Sequence, residues 1–348
     1  MTGEIAAILA MDGIASGAIY VLIGLGFVLI FAVTRVIFVP FGDIAAFTAL
    51  SLASLETGGR PGTMGLVAVL AMLASAVEAV ALARARAWSR LPRALAFYLV
   101  LPMLPVAAVW LAGGIVLAMP LRLALALALV LPIAPLLDRI VFRPIADASV
   151  LLLLTVAVAL HFALSGLGLL FFGPEGVRTK PLTELVLEVG GLIVNGQTLM
   201  IVVAAIAFSG LLFLFFEFTV RGKALRATAI NRTGARLVGI RPATTGTTAY
   251  LLASVLAGIS GILVAPVTTI FYDSGFLLGL KAFVGAIIGA MASYPATALG
   301  ALLVGLLESF ASFWISAFKE VVVFGLLIPV LLWRSLSLVG NDEEEAEE

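Results

Sequence analysis

The 348-residue chain has no cysteine, a single histidine (His161), only 11% charged residues and a formal net charge of zero. Without thiols there is no disulfide framework and no thiolate metal site, and one imidazole cannot build a histidine cluster. Neither a metal nor a cofactor site is therefore expected. Without a basic excess there is no electrostatic footprint for nucleic acid. The phosphate loop G-x-x-x-x-G-K-[ST] is also missing, because Gly222-Lys223 is followed by Ala224 with no glycine-rich run before it. The chain is expected to hydrolyse no nucleotide itself and to be no enzyme. A lipid-processing enzyme would need a catalytic constellation, and no cysteine, histidine pair or carboxylate cluster stands outside the acidic C-terminal residues.

What fills the chain instead is apolar: 63% of the residues are hydrophobic, against roughly half in soluble domains. No aqueous core of this size hides so much apolar surface, so lipid is the solvent. Backbone polar groups in lipid must be satisfied internally, which leaves helices or closed barrels. The apolar runs are continuous and about 20 residues long, the length a helix needs to cross a bilayer, rather than short and alternating. The expected fold is an all-α polytopic transmembrane bundle over residues 1–340. Spans are read at 11–33, 37–56, 63–83, 95–112, 116–137, 148–172, 198–219, 246–267, 277–293, 297–316 and 320–338. Eleven spans result, or ten if a weak segment is re-entrant. The first is read as a span and not a signal peptide, since Glu4 and Asp12 precede it without a basic region.

The loops test this count, because cytoplasmic loops are enriched in lysine and arginine. With the N-terminus outside and the C-terminus inside, fourteen of the 20 basic residues fall on the inner side, five outside, and Lys281 within a span. The longest outer loop is 173–197 and the longest inner loop 220–244. Residues 341–348 hold six acids and read as a solvated, disordered cytoplasmic tail.

Loop 220–244 combines Arg221, Lys223, Arg226, Arg232, Arg236 and Arg241 with apolar Leu225, Ile230, Leu237 and Val238. Two short helices fit it, one over 223–230 and one capped by Thr233 and running to Val238, with Gly239 and Pro242 as stops. Either its apolar residues pack under the bundle, or a short helix docks in a groove of a cytosolic partner.

Within this loop, Arg226, Arg232, Gly234, Ala235, Arg236 and the ending Leu237-Val238-Gly239-Ile240 resemble the cytoplasmic coupling loop of the branched-chain amino-acid type ABC permeases. Three further stretches are similar to that family: Gly13 to Gly26, Leu280 to Gly289 with its Lys281-Ala282-Phe283, and the last span with Pro329 and Trp333-Arg334. The family's Asn-Phe-Ala-His-Gly-acid run is reduced here to Gly42-Asp43, and region 84–120 has no counterpart. The resemblance implies a bacterial inner-membrane permease subunit of an importer. Its partners would be two cytosolic ABC ATPases, a second permease subunit and an extracytoplasmic solute-binding protein. Its solute would be a branched-chain amino acid or a related small polar compound.

Charges inside a membrane are costly and face a partner or a cavity. Lys281 and Glu308 lie ~6 and ~12 Å from the outer ends of adjacent antiparallel spans, so a pair between them is geometrically open. Asp43, Lys281 and Glu308 are therefore candidates either for structural pairing or for the solute path. With His161 they would also suit an ion-coupled secondary transporter. Gly13 with Gly17 and Gly285 with Gly289 form G-x-x-x-G faces that let helices approach closely.

Overall fold

The computed structural model describes residues 3–189 and 192–332. The acidic tail and Trp333-Arg334 lie outside them. Among the described residues, eight helices are long and apolar enough to cross a bilayer: α1 Gly3–Thr34, α3 Thr63–Arg84, α4 Trp88–Leu111, α5 Met119–Ile145, α6 Val150–Phe172, α7 Gly196–Phe218, α10 Pro242–Val264 and α12 Tyr294–Trp314. Two shorter apolar helices, α2 Phe41–Glu56 and α11 Ser274–Ile288, lie among them. The loop after α7 carries α8 Val220–Ile230 and α9 Arg232–Leu237, and α13 Lys319–Gly325 follows α12. The first ten expected spans each correspond to one helical segment, and the eleventh, 320–338, begins in α13 and runs beyond the described residues. The chain is a multi-pass membrane protein. A β-hairpin, β1 Val186–Val189 against β2 Leu192–Asn195, stands in loop 173–197 with Leu187 opposite Val194.

α1 is the axis of the bundle. It is apolar all round and buried on nearly every side from Gly13 to Val33, and it packs on α12, α10, α11 and α7. Its glycines set the closest contacts. A β-carbon on Gly13 would lie 2.8 Å from the Leu306 Cα, and one on Gly17 2.9 Å from the Leu302 Cα. Gly285 meets Ala301 in the same way, its β-carbon 2.7 Å from the Ala301 Cα, and Gly289 abuts Thr297. By contrast, α6 and α7 turn Leu170, Phe162, Ile206, Phe213 and Phe218 outward, each more than 60% exposed. Such apolar surface is stable where lipid or an apolar partner replaces water.

α1 starts at Gly3, earlier than 11, and α4 at Trp88, earlier than 95. Three further boundaries depart from expectation for reasons visible in the packing. The second span starts at Phe41 and not at 37. Residues 35–40 turn back along α1, so that the Phe41 ring meets Gly26 and Phe27 (ring centroids 5.3 Å apart). Gly26 is eight residues short of the end of α1, or ~12 Å along its axis. α5 runs past the expected stop at 137 because the charges there are paired: Asp138 with Arg143 at 2.9 Å, and Arg139 with Glu78. α11 ends at Ile288 and not at 293, since Ala290 and Met291 adopt φ of 61° and 53° and reverse the chain. The hydroxyl of Ser293 then caps α12 by accepting the Ala296 N–H.

The loops separate to two ends. At one, Glu56 accepts the Lys180 N–H and faces Arg122, Arg60 lies over Trp110, and Arg178 donates to the Pro266 carbonyl. At the other gather Gly246 beside Thr34, the Arg143 contacts and the loop with α8 and α9.

Candidate functional site

The loop joining α7 to α10 is built from two capped helices. The Thr219 hydroxyl accepts the Gly222 N–H (2.9 Å), which starts α8 three residues before the expected 223. The Asn231 side chain accepts the Gly234 N–H (2.8 Å), so Asn231 and not Thr233 caps α9. Asparagine is among the strongest N-caps, and the expectation placed the cap two residues late. A β-carbon on Gly234 would come within 3.2–3.4 Å of the Asn231 side chain, so glycine leaves room for the cap. α9 closes with a Schellman turn, in which Ile240 N–H bonds to Ala235 (2.9 Å) and Gly239 N–H to Arg236 (3.1 Å). Gly239 has φ of 85°, a conformation that costs other residues about 1–2 kcal/mol.

These caps predict a selective response. Asn231→Ala is expected to cost about 1 kcal/mol of helix stability and to speed amide hydrogen exchange across Arg232–Leu237. Thr233→Ala should leave exchange there unchanged, and equal protection in both variants would refute the assignment of the cap.

The faces of the loop divide cleanly. Leu225 and Ala235 are buried against the bundle. Ile230, Leu237 and Val238 are 78%, 85% and 75% exposed. The two readings of the apolar residues thus apply to different residues: Leu225 packs underneath, and the other three stand out. Around them, Arg226 pairs with Glu217 (3.2 Å), Arg232 reaches the Ala146 carbonyl (3.5 Å) and Arg236 is exposed. Behind the loop, the Arg143 guanidinium donates to Asp138 (2.9 Å), the Thr247 hydroxyl (2.5 Å) and the Tyr98 hydroxyl (3.2 Å), tying α5 and α4 to the start of α10.

The candidate buried charges form two separate clusters. Asp43, in the first turn of α2, is fully buried. Its carboxylate oxygens lie 2.8 and 3.0 Å from Nδ1 of His161 in the middle of α6. The Phe276 ring, from the first turn of α11, stacks on that imidazole at 4.5 Å. Gly42 and Gly275 make the approach close: a side chain on Gly42 would overlap the Gly275 carbonyl, and one on Gly275 would come 2.6 Å from the Asp43 Cα. The N-terminal ends of α2 and α11 thus meet inside the bundle, and Asp43 sits where both helix dipoles favour negative charge.

In the second cluster, Lys281 Nζ lies 2.5 Å from Glu308 Oε1 and 3.1 Å from Glu320 Oε1. The Tyr20 hydroxyl donates to Glu308 Oε2 at 2.5 Å. Sequence reasoning missed Glu320 and Tyr20. Glu320 reads as the start of the last span, and Tyr20 is one polar atom in an apolar run. Asp43 and His161, 118 positions apart, share only the signal that each interrupts an apolar segment. Among the described residues no group of three or more histidine, aspartate or glutamate side chains is placed to hold a metal ion.

Comparison with known proteins agrees with this architecture. Residues 9–331 match the family described as branched-chain amino acid transport system / permease component. Over 216 residues, covering 60% of this chain and 70% of the relative, it is 30% identical to the high-affinity branched-chain amino acid transport system permease protein BraD of Pseudomonas aeruginosa. It is 28% identical over 215 residues to the LivH permease proteins of Escherichia coli and Salmonella typhimurium, again covering 60% of this chain and 70% of each relative. No solved structure matches. A bundle of apolar helices with glycine-lined contacts and a matching segment that spans nearly its whole length place this chain in the family of permease components of branched-chain amino acid transport systems.

Proposed function

We propose that the chain is the membrane-spanning translocation subunit of an ATP-driven importer for branched-chain amino acids or a related small polar solute. The observation that carries this reading is the exposed apolar trio Ile230, Leu237 and Val238 on a basic, doubly capped loop, in a chain of this family. Apolar residues this exposed on a water-facing loop call for a protein groove, and a short helix laid into one is a recurrent recognition mode. The relatives are named as permease proteins of high-affinity branched-chain amino acid transport systems. In this reading two cytosolic ABC ATPases hold the loop at Arg226, Arg232, Gly234, Arg236, Leu237 and Gly239, with Ala235 anchoring it to the bundle. A second permease subunit, homologous or identical, completes the pathway, and an extracytoplasmic binding protein delivers the solute at the other end. The basic end faces the cytosol of a bacterial inner membrane, in keeping with positive charge on inner loops. Coupling works because the ATPases bind the two access states of the permease with different affinity.

The ion-coupled alternative draws less support. Lys281 is held between two carboxylates and Asp43 pairs with His161 in a different cluster, so these charges are engaged by partners within the chain and do not form one continuous group.

The test is uncoupling. Arg232→Glu with Arg236→Glu, or a bulky side chain at Gly234, is expected to abolish ATP-driven uptake in the reconstituted assembly while the subunit still inserts. Normal solute-stimulated ATPase activity and uptake in these variants would refute the loop as the contact. Full uptake by the lone chain in liposomes without any ATPase would refute the importer assignment.

A further inference from the structure

A cavity of about 760 Å³ lies apart from both charge clusters and borders the coupling loop, with Ile230 of the exposed trio on its wall. It opens at the basic end, between the last turns of α1, the end of α7, α8 from Leu225 to Ile230 and the turn from α11 to α12. Its walls are apolar over a long run, from Leu25 to Val33 on α1 and from Leu212 to Phe216 on α7. At 1.5 Å per residue, the α1 wall alone is about 12 Å deep. At its mouth stand Arg35 and Arg226.

Among the described residues the charge lining this cavity is of one sign, with no carboxylate on its wall. Arg226 also reaches Glu217 at 3.2 Å, on the half-exposed rim. Arg35 is exposed; among the described residues its guanidinium has no carboxylate partner and lies over the Phe31 ring at 5.8 Å. A zwitterionic amino acid would find an anion site here but nothing for its ammonium group. An amphiphile with a negative head and a long apolar tail finds both halves of its chemistry.

Two further observations point to an occupant. Arg35, Ala290 and Met291, all on the cavity wall, hold left-handed backbone (φ of 61°, 61° and 53°) without being glycine. Such strain concentrates at ligand sites. The Ser209 hydroxyl, also on the wall, is buried, has no hydrogen-bond partner among the described residues and is open to an ester oxygen. The cavity is continuous with lipid-facing surface as well, since its wall residue Phe213 is 62% exposed on α7.

We infer that this cavity binds one acidic phospholipid, with an acyl chain laid between α1 and α7 and the headgroup phosphate held at Arg35 with Arg226 beside it. Basic pockets between transmembrane helices select acidic headgroups on general electrostatic grounds. The inference rests on membrane residence alone. No transport is measured in its test, so it can fail without touching the importer assignment.

The full-length protein, purified and delipidated, is offered phosphatidylglycerol or phosphatidylcholine of equal chain length, and retention is read by native mass spectrometry. Phosphatidylglycerol should be retained at least about fivefold more strongly, with that preference lost in Arg35→Gln and kept in Arg35→Lys. Ala298→Phe, which fills the cavity, should reduce retention of both lipids. Equal retention of the two lipids by the unaltered protein would overturn the inference, as would undiminished preference in Arg35→Gln. Complete competition by inorganic phosphate would overturn it too, by reducing the site to a free-anion site. If a variant fails to fold, unaltered protein with a photoactivatable acyl chain decides. Labelling of Leu212, Phe213 or Ala229 supports the site, and labelling confined to other surfaces refutes it.

Discussion

Lys281→Met is expected to destabilise the folded protein by about 3–5 kcal/mol, because it removes the one cation between two carboxylates. Lys281 is buried and stands 2.5 Å from Glu308 and 3.1 Å from Glu320. Once it is gone, Glu308 keeps only the Tyr20 hydroxyl, and one oxygen of Glu320 already lacks a partner. The two negative charges repel each other, and the desolvation of the largely buried Glu308 is no longer offset, whereas Glu320 keeps part of its solvent contact. The effect belongs to an uncompensated charge and not to a lost contact, so it should be reversible by neutralising the rest of the cluster. The triple variant Lys281→Met, Glu308→Gln, Glu320→Gln is expected to recover most of the loss, and the three sites should be strongly non-additive. Unfolding midpoints in lipid nanodiscs measure this. A single variant within about 0.5 kcal/mol of the unaltered protein, as at an ordinary surface site, would show that the cluster carries no such load.

Gly42→Val is the second large expectation. The atom a side chain would strike is the Gly275 backbone carbonyl, which cannot rotate away as a flexible side chain could. α2 and α11 must separate, and overpacking of this kind costs about 1–3 kcal/mol or more. Separation also pulls Phe276 off His161 and withdraws Asp43 from its partner. Gly275→Val should do the same from the other side. The two together should cost less than the sum, since helices already parted admit the second side chain cheaply. Insertion level and unfolding midpoint report the result. Unfolding of both single variants at the temperature of the unaltered protein would show that the two helix ends do not meet.

Much of this architecture is legible in the sequence, because in lipid the solvent does the sorting. Long apolar runs interrupted by charge and glycine mark α1, α3, α6, α7, α10 and α12 to within a few residues at most of their ends, apart from the start of α1. The glycine-spaced faces mark where α1 and α12 touch. What hides is anything decided by a partner distant in sequence. α5 continues through Asp138 and Arg139 because Arg143 and Glu78 neutralise them. α2 starts late because Phe41 has a glycine-floored place on α1, a fact held by Gly26 and not by the residues around position 37. The left-handed turn at Ala290 and Met291 is unmarked because neither is glycine. At the loop, Gly239 announces the end of α9 by its type, whereas Asn231 and Thr233 compete as caps and only the fold decides between them. The partners of Asp43 and Lys281 lie on other helices. Lys281–Glu308 was within reach by depth along antiparallel neighbours; Asp43–His161 had no such guide.

α11 has a mechanical consequence. It is 15 residues long, about 22 Å, and it carries Phe276 against the imidazole and Lys281 among the carboxylates. The two polar centres hang from one stiff lever, five positions apart, with a backbone-to-backbone pivot at Gly275. A roll of that lever by even a fraction of a turn strains both centres together. The imidazole and the carboxylates are therefore tied to the same rigid body, and a displacement felt at one is felt at the other.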